Sequence, residues 1–316
     1  MKTKRNYLKI TASVVLGLVF TSAVLTSCKK DDDAPIVSAK TITQVVVDDP
    51  NFSFLEAAVV KADLAATLSG TGPFTVFAPT NDAFKAAGFA NEAAVSAASK
   101  ETLQAILKYH VLGNNTTSAA IPTATNTEVA TLNGANVYVT KNDKGVFVNG
   151  ATVTKADVKA SNGTIHVINK VLMPATGNIV AAAQGNANLS FLVAAVVKAN
   201  LGTTLSGTGP FTVFAPTNAA FIAAGFPDVA AVSAASADVL TPILTYHVIS
   251  GRVFSTDLSE GLMPTTVNGG KLSISLTGGA KVKGAGNSTA ANITATDIVT
   301  TNGVVHVIDQ VLKPAP

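Results

Sequence analysis

The chain has 316 residues, 22 basic and 19 acidic, with one cysteine, no tryptophan and 47% hydrophobic content, ample for two cores. Four of the basic residues lie among the first ten; without them 18 basic stand against 19 acidic, so no basic stripe remains for nucleic acid. A single cysteine also excludes disulfides within the chain.

Residues 1–27 read as a targeting segment. Lys2, Lys4, Arg5 and Lys9 precede an apolar run from Ile10 to Leu25 that Thr11, Ser13, Thr21 and Ser22 interrupt. The run is short of the ~18–20 apolar residues that a membrane-spanning helix needs. Leu25-Thr26-Ser27-Cys28 resembles a bacterial lipobox. The resemblance implies cleavage before Cys28, a diacylated sulfur and an acylated new amine, palmitate being the kind of chain expected. Several such chains anchor firmly, at about 0.8 kcal/mol per buried CH₂. The expectation is an exported lipoprotein of the outer membrane, facing either the cell surface or the periplasm. Residues 28–40 then form a polar linker. Within it Lys29-Lys30-Asp31-Asp32-Asp33 is either a solvated spacer or, by resemblance, a surface-export tag of Bacteroidetes-type lipoproteins.

The rest of the chain repeats itself. Residues 67–81, TLSGTGPFTVFAPTN, recur letter for letter at 204–218. Tyr109-His110 recurs as Tyr246-His247, and Asn162-Gly163 with His166 as Asn302-Gly303 with His306. The offset grows from 137 to 140, which implies about three inserted residues between those landmarks. Such a period is too long for a solenoid unit and fits a duplicated domain of roughly 100–150 residues. The domains are placed at 41–174 and 177–316, with a joint of a few residues between them.

In each repeat helices come first. Residues 53–68 predict a helix, with Ser53 and Glu56 as a capping box and Leu55, Val59, Ala62 and Ala66 on one face. Gly70-Thr71-Gly72-Pro73 is a turn, and Phe74–Ala78 predicts a strand that Pro79 closes. Thr80 or Asn81 caps a short helix that ends at Gly88; Ser99 caps another that ends at Tyr109-His110. The period then changes to two. Val137-Tyr138-Val139 and Val146-Phe147-Val148 flank a turn, as do Val267 and Leu272-Ser273-Ile274 around Asn268-Gly269-Gly270. The closing strands, Ile165–Ile168 and Val305–Ile308, are apolar on both faces and therefore central. The fold class is α+β.

Phe74–Phe84, the Tyr109-His110 pair and Asn162–Ile168 with Leu172 and Pro174 resemble the successive signatures of the fasciclin domain. Phe211–Phe221, Tyr246-His247 and Asn302–Pro314 repeat them in order. The resemblance implies two tandem wedges of twisted β-strands with helices packed on them. It also implies adhesion at cell surfaces, with glycan, matrix or cell-surface proteins as partners. Asp297-Ile298 is similar to an Asp-Ile pair linked to adhesion in animal members, and Asp157-Val158 holds that place in the first repeat.

No G-x-S-x-G or H-E-x-x-H motif occurs. Two histidines per repeat without cysteine fall short of the three or four ligands that zinc takes. No metal, cofactor or catalytic residue is therefore expected. Tyr109, His110, His166, Tyr246, His247 and His306 are expected to be structural, satisfying buried backbone groups. The leading expectation is a non-enzymatic binding or adhesion module whose partner contacts lie in the stretches 113–136 and 251–291, which differ between the repeats. A structural envelope spacer without a specific ligand is the alternative. A hydrolase remains third, because triads assemble in space rather than in sequence.

Overall fold

The computed structural model describes residues 39–315. The targeting segment, Cys28 and the Lys29–Asp33 run lie outside the described residues. The first repeat comprises α1 (Ile42–Asp48), α2 (Ser53–Lys61), α3 (Ala65–Ser69), β1 (Phe74–Pro79), α4 (Asn81–Ala86), α5 (Glu92–Ala97) and α6 (Lys100–Tyr109). Then follow β2 (Val111–Leu112), β3 (Thr127–Ala130), β4 (Asn136–Asn142), β5 (Gly145–Val148), β6 (Ala151–Ala160) and β7 (Gly163–Ile168). The second repeat comprises α7 (Ile179–Gln184), α8 (Ser190–Lys198), α9 (Gly202–Ser206), β8 (Phe211–Pro216), α10 (Asn218–Ala223), α11 (Val229–Ala234) and α12 (Ala237–Tyr246). It closes with β9 (Val248–Ser250), β10 (Leu272–Ser275), β11 (Lys281–Gly284), β12 (Ala291–Thr300) and β13 (Gly303–Ile308).

The first sheet runs β2-β1-β7-β6-β5-β4-β3 and the second β10-β11-β12-β13-β8-β9. The closing strands are interior, as their apolar faces predict. β7 lies parallel to β1 and antiparallel to β6, and β13 lies parallel to β8 and antiparallel to β12. Alternate residues feed two cores. In the first repeat Val76, Ala78, Ile165 and Val167 meet the helices, while Phe77 and Ile168 meet Tyr109, Leu112, Val137, Val139 and Val148. Register irregularities along β6 and β12 bend each sheet between these halves. The second repeat divides its own core in the same way. Each repeat thus has its own pair of apolar clusters, and each is α+β.

Three local expectations are corrected. Residues 53–68 form two helices, because Asp63 takes a left-handed conformation (φ 58°) between α2 and α3, as Asn200 does (φ 55°) in the second repeat. These are residue types that tolerate that region. Ser53 and Glu56 form no capping box. A 3-10 turn over Pro50–Phe52, capped by Asp49, runs directly into α2, so Ser53 is already helical and its hydroxyl accepts from Asn81 Nδ2 at 3.2 Å. The turn at Asn268–Gly270 is closed by Thr266 N–H donating to Gly270 O at 2.8 Å. It carries only the single bridge Thr265↔Lys271, since Pro264 follows in the pairing direction; β10 instead pairs with β11. Thr80 and Ser99 do cap their helices, at 3.3 and 3.1 Å.

Candidate functional site

Side-chain amides and imidazoles of the repeated motifs tie each domain together. Asn81 Oδ1 accepts from Phe54 N–H at 3.1 Å while its Nδ2 donates to Pro50 O, fixing the β1–α4 turn to the start of α2. Asn162 Oδ1 accepts from Ile42 N–H at 2.9 Å and its Nδ2 donates to Leu68 O and Gly70 O. Asn218 and Asn302 make the same bonds in the second repeat. In the sequence Asn162 and Asn302 stand out only as members of repeated blocks, and Asn81 only as an alternative to Thr80 as a helix cap, the role that Thr80 takes.

The four histidines are buried and fully engaged. His110 donates from Nδ1 to Ile106 O at 2.8 Å, and its Nε2 accepts from Leu172 N–H at 2.9 Å. His247 repeats this with Ile243 O and Leu312 N–H. Burial pushes both imidazoles down to about 4. His166 donates from Nε2 to Thr116 O and accepts at Nδ1 from Asp157 N–H; His306 does so with Val253 O and Asp297 N–H. Every ring nitrogen is thus committed to backbone. Tyr109 donates to Asn136 O and accepts from Asn149 Nδ2, and burial pushes its phenol up to about 12. Tyr246 donates to Lys271 O at 2.7 Å. Among the described residues no three His, Cys, Asp or Glu side chains gather where they could hold a metal ion.

A cluster of charged and aromatic groups lies where the two repeats meet. From the second repeat come the 252–257 loop and Asp297; from the first come β4, the β5–β6 turn and Lys170. The Arg252 guanidinium stacks 3.9 Å over the Tyr138 ring, and Phe254, 1% exposed, packs on the same ring at 6.1 Å. Asn126 Nδ2 donates to Arg252 O at 2.6 Å and to Asp257 Oδ2 at 3.3 Å, and Thr140 Oγ1 donates to Asp257 Oδ1 at 3.4 Å. Burial pushes the Asp257 carboxyl up. Lys170 Nζ meets Asp297 Oδ2 at 2.7 Å. The Asp297 side chain is 4% exposed and also accepts from Ser255 N–H and Oγ. Burial alone would raise its carboxyl, but the Lys170 ammonium and these hydrogen bonds outweigh burial and hold it below the usual carboxylate range. Gly150 (φ +75°) lets the carboxylate approach: a Cβ there would stand 2.4 Å from Asp297 Cγ.

The Asp-Ile pair therefore has different surroundings in the two repeats. Asp297 is held in the seam and Ile298 lines a cleft of about 480 Å³ beside it, with Lys170, Met173 and Ala86 on the far wall. Asp157 accepts from Ser118 N–H and Oγ, which hold its carboxyl below the usual range, and it is half-buried. The divergent stretches also split. Asn126, Arg252, Phe254 and Asp257 are drawn into the seam, while Asn114, Asn115, Thr117 and Pro122–Thr125 remain exposed.

The fasciclin domain model matches residues 50–174 and 187–314. α1 and α7 precede the matched ranges, yet Ile42 and Ile179 belong to the respective cores. Protein sll1483 of Synechocystis is 41% identical over 182 residues, covering 55% of this chain and 99% of that protein. Transforming growth factor-beta-induced protein ig-h3 of Sus scrofa is 28% identical over 253 residues, 79% of this chain and 36% of its own length. Human periostin is 26% identical over 284 residues, 87% of this chain and 31% of its own length, so the chain spans about a third of these two animal proteins. A solved FAS1 domain pair from the insect cell adhesion molecule fasciclin I is similar at 22% identity and a TM-score of 0.40, over 82% of this chain and 95% of that one. With its family model matched twice and covering most of its length, the chain belongs to the fasciclin domain family.

Proposed function

We propose that the chain is a non-enzymatic adhesion or binding module of the cell envelope, tethered by lipid at Cys28, that meets glycan, matrix or cell-surface protein through loops of its two fasciclin domains. One observation carries this reading. The exposed run around Asn114, Asn115, Thr117 and Thr123 is polar and uncharged, and rests on a rigid sheet through Thr75, which donates to Asn114 O and accepts from Thr116 N–H. Hydroxyl and amide groups held on a rigid frame suit the hydroxyl-rich surfaces of glycans, with little ordering cost on contact. Asp157 borders this run, so a partner that uses the Asp-Val pair would meet it in the first repeat. Many tethered chains on one surface would add avidity to weak individual contacts.

The seam favours the spacer as a second reading, because a clasped pair holds its two faces at a fixed separation. Lipid-free protein, residues 41–316, applied to a glycan array and to cells separates the two. Binding that falls when Asn114, Asn115 and Thr117 become alanine supports the module; absence of binding to either, with envelope defects in cells that lack the protein, supports the spacer. Cys28→Ser tests the tether: the variant should leave the detergent phase, and unchanged partitioning would overturn lipidation at that residue.

A further inference from the structure

The seam joins unlike faces of two domains that share a fold. The second repeat presents its 252–257 loop and Asp297, here called its head. The first presents β4, the β5–β6 turn and Lys170, its tail. A head-to-tail contact between like units leaves a free head at one end and a free tail at the other, and such contacts propagate into filaments unless something stops them. The free head belongs to the first repeat and the free tail to the second, and the chain departs from its own pattern at both.

At the free head, Thr75 and Thr212 bond corresponding loops, which aligns Asn114 with Gly251 and Ser118 with Ser255. The Ser118–Asp157 clasp is retained, so the backbone of the head is the same in both repeats. The gripping side chains are not. Arg252, Phe254 and Asp257 correspond to Asn115, Thr117 and Ala120, all exposed. The head has its shape but lacks the cation, the ring and the acid that hold the seam.

At the free tail, Tyr109 bonds Asn136 O as Tyr246 bonds Lys271 O, which aligns Tyr138 with Ser273. His110 and His247 align Leu172 with Leu312, hence Lys170 with Gln310. The ring and the ammonium of the seam are thus missing. The ladder registers align Val148 with Val282 and Ala151 with Ala291. Between them the first repeat has only Asn149-Gly150, whereas the second runs from Lys283 through Ala290. The longer turn folds back on the closing segment: Gly286 N–H donates to Lys313 O at 2.9 Å, Asn287 Nδ2 donates to Val311 O at 2.9 Å, and Asn287 Oδ1 accepts from Lys313 N–H at 2.7 Å. In the first repeat the corresponding wall, Ala83, Ala86, Ala87 and Val171, faces Thr296–Val299 of the second domain across the 480 Å³ cleft. In the second repeat Ala220, Ala223, Ala224 and Val311 face the chain's own Gly286–Ser288. The long turn occupies the place that a following domain would take.

We infer that the interface between the domains is single-use: the first repeat's tail is built to receive the second repeat's head, and the two free faces are disabled against head-to-tail addition of further copies. The cap on the free tail is then a turn of eight residues where the first repeat has two, an insertion larger than the net offset change because the offset falls to 134 at Val148 and Val282 before the turn raises it to 140. The pair is a closed, monomeric unit whose loops are presented in one fixed arrangement.

Two experiments on the lipid-free chain test this. In the first, a protease site placed between Ala175 and Thr176 is cleaved after folding. The halves should stay together through size exclusion at micromolar concentration, and the same nicked protein carrying Arg252→Ala should dissociate at least about tenfold more readily. Halves that separate at once without the substitution overturn the seam. In the second, sedimentation of the intact chain should give a monomer up to the highest soluble concentration. One variant then receives Asn115→Arg, Thr117→Phe and Ala120→Asp at the free head. Another loses the 285–290 turn and receives Ser273→Tyr and Gln310→Lys at the free tail. Each alone should remain monomeric, and the mixture should form a one-to-one complex. Self-association of the unmodified chain that Asp157→Ala abolishes, or a mixture that stays monomeric while both variants melt as the parent does, overturns the single-use reading. Should a graft fail to fold, sedimentation of the intact chain decides: a monomer throughout supports the single-use reading, and self-association that Asp157→Ala abolishes overturns it.

Discussion

Replacing His110 and His247 by glutamine should flatten the acid limb of the stability profile. Both imidazoles are 1% exposed, and burial of the cation holds them near pKa 4 against 6.5 for a free side chain. As the pH falls through 6.5 the unfolded chain takes up a proton at each site, while the folded chain does not until about 4. Between those values the unfolded state binds more protons. The contribution is therefore present in full above 6.5, is lost as the pH falls through the window, and levels off below about 4. At about 1.36 kcal/mol per unit, each site costs its own domain roughly 2.5 kcal/mol between pH 7 and pH 4.5. Glutamine does not titrate, and its amide can still donate towards Ile106 O or Ile243 O. It should cost about 1–3 kcal/mol at pH 7 for imperfect replacement of the lost bonds. The lowered His306 and the raised Asp257 also contribute, with opposite signs, but they are common to parent and variant and cancel in the comparison. Urea unfolding at pH 7 and 4.5 measures the difference. An acid-induced loss as large in the double variant as in the parent would refute the reasoning.

Lys170→Ala should destabilise the seam by about 1–2 kcal/mol, less than a fully buried pair would cost because the lysine is 39% exposed; a thermodynamic cycle with Asp297→Asn should show coupling, and strict additivity would argue against the ion pair. Gly150→Ala should cost more than the ~1 kcal/mol of left-handed strain alone, because its Cβ meets the Asp297 carboxylate, and Asp297→Ala should relieve the excess in urea titrations. Asn162→Ala strands Ile42 N–H, Leu68 O and Gly70 O and should cost about 3 kcal/mol or more, with Asn302→Ala comparable in its own domain by calorimetry.

The repeated blocks make most of the fold readable because they hold residues whose physics is local. Thr80 and Ser99 announce helix starts, and apolar residues on both faces of Ile165–Ile168 announce a central strand. Long-range bonds are hidden for the same reason. Nothing near Asn162 says that its amide will reach Leu68, 94 residues away, or that Asn81 will displace the capping role of Ser53. The break at Asp63 is visible only to a reading that treats Asp and Asn as alternatives at a left-handed position, since Asn200 stands there in the other copy. The histidines could be read as structural from their apolar settings, but their backbone partners could not. The seam escapes sequence reading almost wholly, because Arg252, Tyr138 and Lys170 carry no motif and lie up to 114 positions apart.

The comparison of copies is what makes the seam intelligible. Where both repeats keep a residue, as at Asn162 and Asn302 or His110 and His247, it makes the same bond in each, which points to a requirement of the single domain. Where they differ, as at Arg252 against Asn115 or Lys170 against Gln310, one member of the pair sits in the seam and the other faces water or the chain's own cap. Asp157 and Asp297 combine the two cases. Both accept from a serine and both lean on a buried histidine through their backbone N–H, so the acid belongs to the domain; only Asp297 has acquired a lysine, so the ion pair belongs to the tandem. A partner that reads this acid would have to displace Lys170 in the second repeat but not in the first. If the proposed partner reads this acid, substitution of Asp157 should change binding without loosening the pair, while substitution of Asp297 should loosen the pair first and alter binding only through it.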